Sequence, residues 1–494
     1  MQLDLTPFIP GGWISRWLDY LKVTSPDMVR NETEICKIIG MVGLSMLGKV
    51  LIDKLYPLDA ANMMIGLTGE SGTAKTWLAE RLIEDVIELD RGLGLKRIAH
   101  GTPEKVAELI ELQRWGIYFV DEVASAIKNA TRGGYMTEWG EVILMPLYTR
   151  SAISLRRRKS SKDIYVEPKS YYVNTIFCGT ERDYAGLFNN WPALKRRILL
   201  MRIRYEPPEE YWQPSPEGGR ILAELHLLNR WLKNKIVVVE LDKDALNEAM
   251  KDLKRRFPDP EMRRQVWHYV PKFIATWCLD QVMSEVAEQI LEGRGSVDIS
   301  ATGSQKHSEK ETVEWRMVTP NDMSSESSLY RLSMLIDGLS SMISNIEIIN
   351  CRCTVDVLSK LSMVFIDSIS TLHRHSTSTL RMAAAQNPQL EDVCTKILRK
   401  LEQLRITTAR DLLRSIPGLD ARTRDSALRE LSERGEAVLR RYGRALFVIH
   451  PSVKVCGTCA LYDEGCPAKD KEGVGPDPRD EPCELYRPIE EGGL

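Results

Sequence analysis

Apolar positions change their period several times along the chain. Trp13, Trp17, Leu18 and Leu21 fall at helical spacing and an Ile-, Met- and Leu-rich run follows, so residues 13–56 read as helix. Within that run, residues 38–48 contain three glycines and are closed by Lys49, which predicts a buried helix and no membrane span. From about 60 to 205, short apolar runs alternate with amphipathic stretches, the pattern of an α/β domain with a parallel sheet. Amphipathic segments at 219–233 and 263–291 predict helices, residues 293–328 turn polar and predict a linker or exposed loop, and a second helical region runs to about 385. Further on, Ile397, Leu398 and Leu401 form one stripe, and Ala409, Leu412, Leu413 and Ile416 a second. Ala427, Leu428 and Leu431 form a third behind a cap at Asp420, and residues 436–441 and 445–449 flank a Tyr-Gly-Arg turn. Three helices and a β wing make a winged helix. The expected division is 1–59, 60–205, 206–385, 386–450 and a Pro/Gly-rich cysteine tail at 451–494.

Chemistry enters at Gly69, Glu70, Ser71, Gly72, Thr73, Ala74, Lys75 and Thr76, between the apolar run 63–67 and the amphipathic stretch 77–87. In a strand–loop–helix context, glycines let successive N–H groups turn inward and the helix start adds its positive end, which suits a triphosphate. Lys75 is expected on the β- and γ-phosphates of ATP and Thr76 on Mg²⁺. A second apolar run, Ile117 to Val120, ends in Asp121 and Glu122, where open α/β sheets place their ligands. Asp121 is expected to hold Mg²⁺, and Glu122 to act as general base on the attacking water. The run 172–180 predicts a third strand, with Thr180 at its tip assigned to the γ-phosphate or the lytic water and Asn174 a deeper runner-up. Of Arg196 and Arg197, the second directly precedes another apolar run and is the favoured candidate to reach a neighbouring copy's nucleotide. Arg263 and Arg264, near the start of a later helix, are candidates for a further γ-phosphate contact.

The loop GESGTAKT, with Ala74 before the lysine, resembles that of minichromosome maintenance helicases and of related AAA+ replicative helicases of archaeal viruses, plasmids and integrated elements. The order of phosphate loop, Asp-Glu strand, sensor strand, finger arginine and lid helices is similar to AAA+ ATPases over about residues 60–290. It departs from the minichromosome maintenance proteins in lacking an Ala-Asn-Pro sensor and a Ser-Arg-Phe finger. The phosphate loop also begins as early as Gly69, which implies a compact mobile-element relative. Between the Asp-Glu and sensor strands, residues 152–166 read as two short strands with Arg156, Arg157, Arg158, Lys159 and Lys162 at and beside a Ser-Ser turn. The resemblance implies a hairpin that enters a ring channel and grips the nucleic-acid backbone. In the winged helix, Arg422, Arg424 and Arg429 on the third helix and Arg440, Arg441 and Arg444 on the wing are candidate DNA contacts.

The tail carries Cys456, Cys459, Cys466 and Cys483, a set suited to Zn²⁺ or a [4Fe–4S] cluster, with disulfides a third option. The other six cysteines are scattered between Cys36 and Cys394, as reduced core thiols of a cytoplasmic protein would be. The N-terminal MQLDLTPFIPGG lacks a basic segment before an apolar one and does not read as a secretory signal. In 494 residues, Lys+Arg 67 against Asp+Glu 69 gives a net charge of -2, so nucleic-acid contact requires local basic patches. Together these features predict a ring-forming, hexameric AAA+ ATPase that translocates on DNA as a replicative helicase, with other replication proteins as possible partners and no membrane. The alternative from another class is an ATP-switched P-loop regulator whose winged helix binds DNA or protein.

Overall fold

In the computed structural model, which describes residues 11–53, 60–205 except 71 and 156–162, 215–291 except 252 and 254–258, 313–318, 326–370 except 341, 344 and 356, and 388–453 except 417, 418, 420, 434, 435, 443 and 444, two helices come first. Trp13–Thr24 buries Trp13, Trp17 and Leu21 against the second helix, Pro26–Gly48, whose residues from Ile35 onward are all buried. The first helix has no side-chain cap of its own. Its start is held instead by the buried Asp280, whose carboxylate accepts from Gly11 N and Ile14 N, each at 2.8 Å. The second helix ends at Lys49, which turns into the left-handed region at φ 47°, and the chain enters β1 (Leu51–Asp53) where helix to residue 56 was expected. Val50, Leu51 and Ile52 are all buried, and strand pairing satisfies their backbone there better than another helical turn would.

A five-stranded parallel sheet follows. Its strands are β2 (Met64–Thr68), β3 (Ile98–Ala99), β4 (Trp115–Val120), β7 (Tyr172–Gly179) and β8 (Leu199–Arg202), in the order β3-β4-β7-β2-β8. An antiparallel hairpin of β5 (Ile153–Leu155) and β6 (Ile164–Val166) precedes β7. Alternate residues of the main sheet serve two cores: Ile65, Leu67, Ile117 and Ile176 on one face, Met64, Tyr118, Val173 and Phe177 on the other. Burial on both faces is why these strands read as continuous apolar runs. The mixed α/β architecture with a parallel sheet is the one anticipated.

Helices Pro216–Lys233 and Pro260–Leu291 begin a few residues before the segments expected from periodicity. A second sheet, which the sequence reading did not anticipate, combines β1 with β9 (Lys235–Glu240), β10 (Val313–Val318) and β11 (Glu347–Cys353) in the order β1-β9-β11-β10. Strand β10 lies inside the stretch assigned to a linker, where Val313, Trp315 and Met317 alternate with Glu314 and Arg316 in a period of two. Strand β11 interrupts the region read as helical.

Contacts divide the chain into Met1–Leu380 and Arg381–Leu494. The second unit contains helices Pro388–Leu404, Ala409–Ser415 and Ala421–Glu433. Its three-stranded sheet joins β12 (Ile406–Thr408), β13 (Val438–Tyr442) and β14 (Ala445–Ile449) in the order β12-β14-β13, antiparallel throughout. Cys394, Ile397, Leu401, Leu412, Ala427, Leu428, Leu431 and Val448 share its core. Cys36, Cys178, Cys278, Cys351, Cys353 and Cys394 are all buried free thiols. No helix among the described residues is long and apolar enough to cross a membrane.

Asp280→Ala removes both acceptors at the start of the first helix, a loss of about 2 kcal/mol for buried bonds to a charged group. Hydrogen exchange is expected to accelerate across Trp13–Thr24 while β7 keeps its protection; unchanged protection of that helix would contradict the assignment.

Candidate active site

All five strands of the main sheet point the same way, so the loops after β2, β4, β7 and β8 emerge at one edge. The phosphate loop leaves β2 there and ends in the helix Lys75–Glu80. Gly72 has φ 89°, which side chains disfavour, and a Cβ on Gly69 would lie 2.4 Å from the carbonyl oxygen of Ile203. Ala74 tolerates its position because its own φ is -72°. The Lys75 ammonium is turned back onto the loop, donating to Gly69 O (3.1 Å), Glu70 O (2.5 Å) and Thr73 Oγ1 (2.9 Å). Burial lowers its pKa, opposed by the nearby Cys178, Glu181 and Asp183. Ser71 lies outside the described residues.

The Thr76 hydroxyl donates to Asp121 Oδ1 at 2.7 Å, so the helix after the glycine loop and the end of β4 bring together two oxygens, from half-buried Thr76 and exposed Asp121. That pair fits a hard divalent cation such as Mg²⁺, which binds through one or two protein oxygens and otherwise through water and phosphate. Glu122 begins the helix Val123–Arg132 with its carboxylate exposed, accepting from Ser125 Oγ at 2.6 Å. Strand β7 lies between β2 and β4, which carries Thr180 to the same edge. Its hydroxyl is engaged in a capping box, donating to Asp183 Oδ2 at 2.8 Å and accepting from Asp183 N. Asn174 is fully buried and ties Met63 N, Val42 O and Ser45 Oγ together, a structural link remote from the strand tip.

Arg196 and Arg197 precede β8 and lie at the opposite edge of the sheet, beside the start of β2. Arg197 Nη1 donates to Ala193 O at 2.7 Å and its guanidinium stands 5.6 Å from the Tyr148 ring centre, whereas the Arg196 side chain makes no hydrogen bond or ion pair among the described residues. Helix Pro260–Leu291 is clamped to this edge: Gln265 Nε2 donates to Ile198 O at 2.8 Å, and Tyr269 Oη lies 2.6 Å from Met64 O and 2.5 Å from Arg197 O. That helix brings Arg263 and Arg264 to the same edge as Arg197. Both candidate arginine pairs therefore stand away from their own chain's phosphate loop.

Residues 156–162, with Arg156, Arg157, Arg158, Lys159 and Lys162, lie outside the described residues, as do Cys456, Cys459, Cys466, Cys483 and Arg444. No group of three or more His, Cys, Asp or Glu among the described residues could hold a metal ion. The helix bearing Arg422 is described without that side chain. Arg424 is held by Asp425 and by Ala409 O at 3.0 Å, while Arg429 is exposed. Arg424 is thus committed inside its own unit.

Several residues escaped the sequence reading. Cys178 is buried beneath Thr76, Asp121 and Lys75, and burial pushes its thiol pKa up. Arg202, at the end of β8, pairs with Glu181 at 3.2 Å. Glu32, at a kink in the second helix, accepts from Arg204 N and Tyr205 N, and Tyr205 O in turn accepts from Ala74 N at 3.1 Å. Arg150, fully buried, donates to Tyr171 O at 2.9 Å and Lys169 O at 2.6 Å, and its own carbonyl accepts from Lys169 N. It thereby ties the chain entering the hairpin to the chain leaving it. Nothing in the local pattern around Arg150 distinguishes it from a surface arginine.

No protein-family model matches the sequence, and no curated protein matches it significantly.

Arg150→Met preserves most of the buried volume and leaves two carbonyls unpaired, so a loss on the order of 3 kcal/mol is expected. Urea unfolding followed by tryptophan fluorescence measures it; an unshifted midpoint would contradict the latch.

Proposed function

We propose that the chain is an AAA+ ATPase that assembles into a hexameric ring and moves DNA through its centre as a replicative helicase. The observation that supports this reading is the division of the candidate residues between two edges of one sheet. One edge holds Lys75, Thr76, Asp121 and Glu122; the other holds Arg196, Arg197 and Arg264. A chain built this way completes its catalytic set by placing one edge against the opposite edge of a neighbour. Repeating that head-to-tail contact closes a ring.

In this reading Lys75 exchanges its loop acceptors for phosphate oxygens, and Thr76 and Asp121 hold Mg²⁺, which neutralises phosphate charge when bound. Glu122, exposed at a helix start, takes the proton of the attacking water. The neighbour's arginines stabilise the charge that develops on the transferred phosphoryl group, a contribution of ~10³–10⁵ in rate in enzymes where it is measured. Strand order supports the arrangement, because β7 between β2 and β4 brings a third loop to the phosphate edge. The antiparallel pairing of β5 with β6, anchored by buried Ile153, Leu155, Ile164 and Val166, supports a projecting hairpin whose connecting sequence is basic. The three helices and antiparallel sheet of the second unit support a winged helix with Arg429 available for a DNA backbone. The tail cysteines are proposed to hold Zn²⁺ or an iron–sulfur cluster.

Lys75→Ala chains and Arg196→Ala/Arg197→Ala chains are each expected to be inactive alone. Randomly mixed in equal amounts they should recover about a quarter of wild-type ATP turnover, because one interface in four pairs an intact loop with intact arginines. Turnover that never exceeds the sum of the separate variants would contradict a shared site.

Lys159→Ala combined with Lys162→Ala should reduce strand displacement on forked DNA about tenfold or more through lost phosphate contacts, with ATP turnover retained. Undiminished displacement would remove the hairpin from the DNA path.

A further inference from the structure

The arginine edge contains more donors than the two arginine pairs. Tyr148 is 7 % exposed, and its ring is flanked by cations: Lys272 Nζ stands 4.3 Å and the Arg197 guanidinium 5.6 Å from its centre. His268 meets the same ring edge-on, 5.8 Å between centroids. Arg264, His268 and Lys272 are spaced four apart on one helix, which aligns them along one face. Tyr148 Oη, Arg197 Nε and His268 Nδ1 are all buried and have no hydrogen-bond partner among the described residues. Each such orphan costs about 1–3 kcal/mol, a cost that an acceptor bound between them would relieve.

The chemistry of the orphans defines that ligand. A phenol O–H and a guanidinium N–H are donors, and an imidazole nitrogen becomes one on protonation. The groups facing His268 are Lys272 and Arg264 on its own helix, Arg196 and Arg197 from the turn before β8, and Tyr148 from the helix Met145–Thr149. Burial and then those cations hold the His268 pKa down at about 4. Arg196, Arg197 and Arg264 have no ion pair with a carboxylate among the described residues. Donors without acceptors, surrounded by uncompensated positive charge, complement an oxyanion.

We infer that Tyr148 and His268 join Arg196, Arg197 and Arg264 in a single oxyanion site for a phosphoryl group. The phosphoryl group is that of a nucleotide held by the neighbouring copy, a clause that rests on the ring proposed above. Tyr148 does two things there: its ring fixes the Arg197 guanidinium and its hydroxyl donates to the anion. His268 takes up a proton as the anion arrives.

The site itself is tested without ATP. Sulfate and inorganic phosphate are titrated calorimetrically into the full-length Lys75→Ala chain, whose own phosphate loop is disabled. One anion site is expected, weakened about tenfold in Tyr148→Phe by loss of one hydrogen bond to a charged ligand. Sulfate stays fully ionised, so its affinity should fall as pH rises from about 5 to about 8, and this dependence should vanish in His268→Gln. Absence of the site, or equal binding by Tyr148→Phe and His268→Gln, overturns the inference. The source of the phosphoryl group is tested separately: in the assembled protein Tyr148→Phe should lower kcat about tenfold with KM unchanged. An unaltered kcat beside a weakened sulfate site assigns the pocket to free phosphate and overturns the neighbour's nucleotide as its ligand. A wild-type chain that hydrolyses no ATP but binds sulfate through Tyr148 sinks the ring reading alone.

Discussion

Parallel pairing of β8 with β2 is the constraint on which the rest depends. With Ile65 opposite Leu199 and Thr68 opposite Arg202, the chain reaches the phosphate loop at one end of these strands and leaves Arg197 at the other. At about 3.3 Å per residue the two ends are separated by roughly 15 Å of close-packed sheet. Side-chain rotation does not bridge that distance. In the proposed function, one polypeptide therefore presents its phosphate-binding and charge-stabilising groups facing opposite ways, and association of copies would bring them together without any change in the fold.

The arginine edge is tied to the backbone around β2 and β8 by three side chains of the long helix. Tyr269 shares its hydroxyl among Met64 N, Met64 O and Arg197 O, Gln265 holds Ile198, and Lys272 donates to Asn62 O. These contacts lock the long helix to the starts of β2 and β8, so the arginines are placed by backbone and not by loop conformation. Preorganised donors of this kind act on developing charge without reorganising during the reaction. On the other edge, by contrast, Lys75 donates to its own loop, and in the proposed function it exchanges those acceptors for phosphate oxygens. One half of the proposed catalytic set is fixed and the other adapts.

Much of the main sheet was legible in the sequence. The apolar runs ending in Gly69, Asp121 and Thr180 placed three strand tips correctly at one edge, because strands buried on both faces leave long apolar runs and put their polar residues at the ends. The convergence of Thr76 on Asp121 followed from the same pattern. Strand β10 was missed because its three apolar residues alternate with charges inside a polar stretch, and β11 because Ile348, Ile349 and Cys351 fall in a region otherwise helical. Thr180 reads from its strand-tip position as a site residue; only the placement of Asp183, three residues on, shows that its hydroxyl is spent in a cap. Tyr148, Arg150 and His268 act through partners distant in sequence, which a single chain read in order does not bring together. The spacing of Arg264, His268 and Lys272 was the one visible trace of that cluster.

In the proposed function a lone chain lacks half of its catalytic set. ATP turnover per chain, measured over a dilution series alongside sedimentation of the same samples, addresses it most directly. Turnover per chain should rise with the assembled fraction and vanish in the monomer. A monomer that hydrolyses ATP at the assembled rate would contradict the account.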